Sequence, residues 1–150
     1  MTTTATTVIT ATLLVVALAI ATPASAEGAL AIGKTGDVAK DGYAYGNAVN
    51  AVTLEAAAAR ALDNCEKYQN APLAVKQCAV VATFSRRCYA IALDPEAGTP
   101  GAGWAVGPDL NAARAASLVA CEKTAGPGRK GKCKVDSALC DQNNTGVDNR

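Results

Sequence analysis

Two short signatures recur along this chain, each leading into an alanine-rich run that ends at a cysteine, and that recurrence limits the possible folds more than any other feature. Gly42-Tyr43-Ala44-Tyr45-Gly46 is followed by Cys65-Glu66-Lys67; Gly103-Trp104-Ala105-Val106-Gly107 is followed by Cys121-Glu122-Lys123. The opening runs Ala29-Leu30-Ala31-Ile32 and Ala90-Ile91-Ala92-Leu93 lie 61 positions apart (90 − 29), and the same offset puts Trp104 over Tyr43. Farther on the offset is 56 (121 − 65), which aligns Asp109 with Thr53, Leu110 with Leu54 and Leu118 with Leu62. Thr53 and Asp109 are residue types that cap a helix start.

Each unit reads as β-β-α-β. Ala29 to Ile32 suits a buried strand, Gly33 to Asp41 a hairpin loop, and Gly42 to Ala48 a second, alternating strand. Leu54, Ala58, Ala61, Leu62 and Cys65 recur at helical spacing, and Gln77 to Phe84 supplies a third strand. The expected fold is α+β: tandem duplicated β-β-α-β units with antiparallel strands, helices on one face, and disulfide staples.

Six cysteines allow 15 pairings. The repeat selects among them. Cys65 corresponds to Cys121 and Cys78 to Cys133, so equivalent bonding gives Cys65–Cys78 and Cys121–Cys133. Cys88 and Cys140 remain; Glu27 and Ser85 stand at their mirror positions in the first unit. No pair has the Cys-x-x-Cys spacing of redox or zinc sites.

An even cysteine set of this kind belongs in an oxidising compartment, and the start of the chain reads the same way. Met1 to Ala26 lacks charge, Val8 to Ile20 is apolar, and Ala24-Ser25-Ala26 invites cleavage before Glu27. An uncleaved anchor is the competing reading of that segment. Residues 1–26 are expected to be a signal peptide, 27–140 one domain of two repeats (27–85 and 86–140), and 141–150 a polar, disordered tail. The expected location is secreted or periplasmic, with no membrane span left after cleavage.

A net charge of +1 among 150 residues carries no nucleic-acid footprint. Histidine is absent, which removes the commonest general base and metal ligand. Ser25, Ser85, Ser117 and Ser137 fit no nucleophile motif. No catalytic residue, cofactor or metal site is expected. Two candidate binding surfaces remain. One is aromatic, from Tyr43, Tyr45 and Trp104, which would offer stacking area if exposed and core if covered. The other is basic, from Arg129, Lys130 and Lys132 in the glycine-rich loop from Gly126 to Lys134.

The order Gly28-Ala-Leu-Ala, a Gly-aromatic strand, an alanine-rich helix ending in Cys65, Cys78-Ala-Val-Val-Ala before Phe84, and Cys88-Tyr-Ala-Ile-Ala resembles the bacterial exported family called domain of unknown function 4189. The resemblance covers Glu27 to Cys140. Members often carry Trp or Tyr just before the first strand, where this chain has Glu27-Gly28. The resemblance implies an exported α+β domain and no established activity. The expected function is a non-catalytic binding or interaction module for an unknown protein or envelope polymer, with inhibition of a secreted enzyme as one form of it. The alternative is a cell-envelope hydrolase using carboxylates such as Glu66 or Asp63.

Overall fold

The computed structural model describes residues 27–141. The signal-peptide expectation and the tail beyond Asp141 lie outside the described residues.

In chain order the elements are β1 (Glu27–Lys34), α1 (Val38–Asp41), β2 (Tyr43–Ala51), α2 (Leu54–Glu66), α3 (Pro72–Val75), β3 (Ala79–Ser85), β4 (Cys88–Leu93), β5 (Ala102–Gly107), α4 (Leu110–Thr124) and β6 (Lys134–Cys140). They form two three-stranded antiparallel sheets, ordered β2-β1-β3 and β5-β4-β6. The loop expected between Gly33 and Asp41 contains the single turn α1, capped by the Asp37 carboxylate. Thr53 and Asp109 cap α2 and α4 by accepting from the Ala56 and Ala112 amides.

Side-chain size decides which sheet face meets what. Along a strand successive side chains alternate between faces. In β1 and β2 the small residues Ala29, Ala31, Ala44 and Ala48 share one face and pack under α2. The large residues Leu30, Ile32, Tyr43 and Phe84 share the other, where they meet Tyr89 and Ile91 of the second sheet. In the second half Ala90 and Ala92 lie in the clusters containing Ala113 and Cys121 of α4. Each sheet therefore has its helix on one face and the opposite sheet on the other. The result is four layers, with α2 and α4 on opposite outsides. Few aromatics suffice because they are concentrated between the sheets.

The helices come close enough to need glycine beneath them. A Cβ on Gly46 would stand 2.1 Å from the Cys65 amide nitrogen, and one on Gly103 2.2 Å from that of Cys121. Residues facing such a contact must be small: Ala57, Ala61 and Cys65 are the buried positions of α2, and Ala113, Ser117 and Cys121 those of α4. Leu54, expected on the apolar face, is displaced to the rim and is 40% exposed.

The strand register corrects the alignment of the two halves. Ala31 pairs with Gly46, and its counterpart Ala92 pairs with Gly103. The offset between β2 and β5 is thus 57 (103 − 46), and Trp104 occupies the position of Asn47 rather than that of Tyr43. The four-residue slip arises because the first hairpin's ladder runs two pairs further, Gly33 with Ala44 and Lys34 with Tyr43, while the second stops at Leu93 with Ala102. A slip of four keeps every side chain on its face, so strand periodicity does not distinguish Tyr43 from Asn47 as the counterpart of Trp104. The third strands keep one offset of 55 (140 − 85), and their bulges fall at equivalent places, Leu30/Ala31 and Ile91/Ala92.

Three disulfides are formed, Cys65–Cys78, Cys88–Cys140 and Cys121–Cys133. Cys88 and Cys140 face each other across β4 and β6, as Glu27 and Ser85 do across β1 and β3. Asp141, assigned by composition to the tail, instead belongs to the fold. Its side chain is fully buried, its amide donates to the Arg87 carbonyl, and its carboxylate accepts the Arg87 amide.

Candidate functional site

A cleft of about 580 Å³ opens between the two halves, within the range of small-ligand sites. The first half contributes Lys34, Thr35, Gly36, Val38 and Tyr43; the second contributes Pro100, Ala102, Gly103, Trp104, Ala120 and Thr124. Lys34 and Tyr43 are direct cross-strand partners at the loop end of the β1–β2 hairpin. Trp104 and Ala102 are on the sheet-facing side of β5, while Ala120 and Thr124 come from α4. The cleft therefore runs along the outer edge of β5, an edge strand.

The polar groups of this cleft divide into two sets. The threonine hydroxyls are occupied. Thr35 Oγ1 donates to Asp41 Oδ2 at 2.7 Å and accepts the Asp37 amide. Thr124 Oγ1 accepts the Ala102 amide at 2.9 Å and donates back to a carbonyl, Ala102 or Cys121. By contrast, the Lys34 ammonium, the Tyr43 hydroxyl and the Trp104 indole N–H have no partner among the described residues. Burial pushes the Tyr43 phenol well above its ordinary range, so it remains protonated. Lys34 is the one charged residue of the lining, and no carboxylate joins it.

Backbone groups add to this set. The Asp94 amide donates to the Gly101 carbonyl. Hydrogen-bonded and non-bonded pairs alternate in an antiparallel ladder, so Gly103 and Ala105 turn their amides toward β4. The N–H and C=O of Ala102 and Trp104 turn outward. Thr124 satisfies those of Ala102. Those of Trp104 face the cleft side of the edge without a partner among the described residues.

Other candidate residues are placed elsewhere. Tyr45 shares a strand face with Tyr43 but does not line this cleft; its hydroxyl donates to Asp136 Oδ2 at 2.5 Å and its ring lies 5.4 Å from that of Tyr68. Arg129 is held by the fold. It makes two bonds of 2.6 and 2.8 Å to Asp94, whose side chain is fully buried, and a third of 2.6 Å to Glu96. Hydrogen bonding from Arg129 holds the Asp94 carboxyl below its usual range. Pairing of this kind is what a buried carboxylate requires, so Arg129 is not a free cation for a ligand. Lys130 and Lys132 are exposed on the same loop.

The carboxylates of the hydrolase alternative do not converge. Glu66 and Glu122 lie near the C-terminal ends of α2 and α4, on opposite outer layers. Asp63 is paired with Lys67 at 2.6 Å, and Glu122 accepts the Gly131 amide. Among the described residues no group of three or more metal-ligating side chains is present, and no helix is long and apolar enough to cross a membrane. Sequence reasoning missed Lys34, Thr35 and Pro100; the only signal for them was their place in the two hairpin connections.

Comparison with protein-family models matches residues 27–140 to the one described as Domain of unknown function (DUF4189). No curated protein and no solved structure matches the chain.

Proposed function

The chain belongs to the domain of unknown function 4189 family, and from that premise we propose that it is an exported, non-catalytic binding module whose ligand seat is the cleft along β5. The observation that carries this reading is the lining itself. Tyr43 and Trp104 reach one cleft from different sheets, with unpartnered donors beside them and no carboxylate, cysteine or serine among the lining residues. Such a surface can hold a ligand and lacks the carboxylate, histidine or thiol that most cleavage chemistry uses. Three disulfides favour an oxidising compartment, which is consistent with secretion or a periplasmic location. In this reading the two halves descend from one duplicated unit, and the cleft lies where they differ, at the loop ends of hairpins whose ladders are unequal in length.

The test is heteronuclear NMR of the oxidised protein against a panel of small peptides and saccharides. Shift changes clustered on Lys34, Thr35, Tyr43 and Trp104 are expected. Changes clustered on the Lys130 and Lys132 loop, or hydrolysis of a panel member, would contradict the proposal.

A further inference from the structure

We infer that the cleft takes the C-terminal end of an extended, apolar peptide, with its main chain added along the outer edge of β5 and its terminal carboxylate at Lys34. The inference rests on the binding reading above and narrows it to one ligand class.

Three observations converge on this class. The unpartnered side-chain groups are the Lys34 ammonium, the Tyr43 hydroxyl and the Trp104 indole, three donors with no carboxylate among the lining residues. An ionised carboxylate is acceptor-only and takes several donors at once. A polyhydroxylated sugar needs several acceptors as well, and with the hydroxyls of Thr35 and Thr124 already engaged only the Tyr43 oxygen and the Trp104 carbonyl are left to supply them. The second observation is the outward pair on Trp104. Its N–H and C=O stand two residues beyond those of Ala102, which Thr124 satisfies from α4. A free donor and acceptor on one residue of an edge strand match the carbonyl and amide of an added strand. A small acid without a peptide backbone leaves that pair unmet. The third is the apolar remainder of the lining, Val38, Pro100, Ala102 and Ala120, which suits apolar side chains next to the carboxylate.

Trp104 is the single tryptophan of the chain, so its fluorescence reports the cleft directly. The probe is acetyl-alanyl-valyl-phenylalanine, titrated as free acid and as amide, beside hydrocinnamate as an acid without a backbone. The free acid is expected to bind about tenfold more tightly than the amide, as one charge-assisted hydrogen bond implies. It should also bind more tightly than hydrocinnamate. Lys34→Gln, at an exposed position, should lower the affinity for the acid to that for the amide and leave the amide unchanged; circular dichroism confirms that the variant is folded. Equal affinity for acid and amide would overturn the carboxylate assignment. Hydrocinnamate binding as well as the peptide would overturn strand addition. Absence of binding by all three would overturn the inference while the wider panel still judges the cleft as a binding seat.

Discussion

Trp104 holds in its sheet the register position that Asn47 holds in the other. Each follows directly after a glycine, Gly103 or Gly46, that lies under a helix-end cysteine. The glycine contact, not the aromatic residue, therefore fixes how the halves correspond. The substitution of Trp for Asn at that place puts an indole into a cleft whose other wall is Tyr43.

Those glycines give the first prediction. Gly46→Ala and Gly103→Ala would bring a methyl group to about 2 Å from the backbone of α2 and α4. The helix must then shift, at a cost of about 1–3 kcal/mol or more. Gly36→Ala, with nothing within 4 Å, should leave the urea midpoint unchanged. Comparable midpoints for all three variants would show that the close approach does not matter.

The mirror relation of Glu27 and Ser85 to Cys88 and Cys140 gives the second. Glu27→Cys with Ser85→Cys should form a fourth bridge on oxidation, because the paired positions share one register. Its long loop implies a stabilisation of about 4 kcal/mol in the chain-entropy model. Mass spectrometry should find no free thiol. Two alkylatable thiols in the oxidised variant would refute the equivalence.

Arg129 gives the third. Arg129→Ala leaves the buried Asp94 carboxylate without its two strongest bonds, so Tm should fall by several degrees. Lys130→Ala and Lys132→Ala, on exposed positions of the same loop, should leave Tm unchanged. A neutral Arg129→Ala would return that residue to the set of possible ligand contacts.

The fourth prediction concerns pH. Burial raises the Asp141 carboxyl above its ordinary value, a shift opposed by backbone N–H donors and added to by Glu27. Its Oδ2 has no hydrogen-bond partner among the described residues. A folded-state value above the unfolded one means that the folded state binds more protons between the two. This contribution to stability is therefore present below the ordinary carboxylate value of about 4 and lost as pH rises through the folded value. Asp94 acts in the opposite sense: its lowered value contributes stability above about 4 that is lost as pH falls through the folded value. Asp141→Asn should remove the first loss and keep the second. Denaturation curves from acid to neutral pH, with and without the substitution, separate the two.

Much of the architecture was legible because its causes are local. Small residues alternating with large ones in Ala29 to Ile32 and Ala90 to Leu93 mark strands, and Thr53 and Asp109 mark helix starts. The cysteine pairs follow from equivalent positions at helix ends and third strands. The stacking of two sheets was not legible, since alternation shows that a strand has two faces without showing what covers each. The register of β5 was misread because a slip of four residues preserves the face of every side chain and aligned two aromatics by accident. Of the cleft, Tyr43 and Trp104 were visible as aromatics. Lys34 was not, because an exposed lysine beside a loop looks like any other until the fold brings Trp104 of the second sheet to the same cleft. Arg129 was visible only as charge, and its partner Asp94 lies 35 residues away in the chain.

Hydrogen exchange at the Trp104 backbone amide tests the proposed strand addition most directly. In the free protein this amide should exchange rapidly, while that of Ala105, turned toward β4, is protected. Saturation with the free-acid peptide should slow exchange at Trp104 at least about tenfold, as a new ladder hydrogen bond would. A Trp104 amide already as protected as that of Ala105, or one that the bound peptide leaves unchanged, would contradict the account.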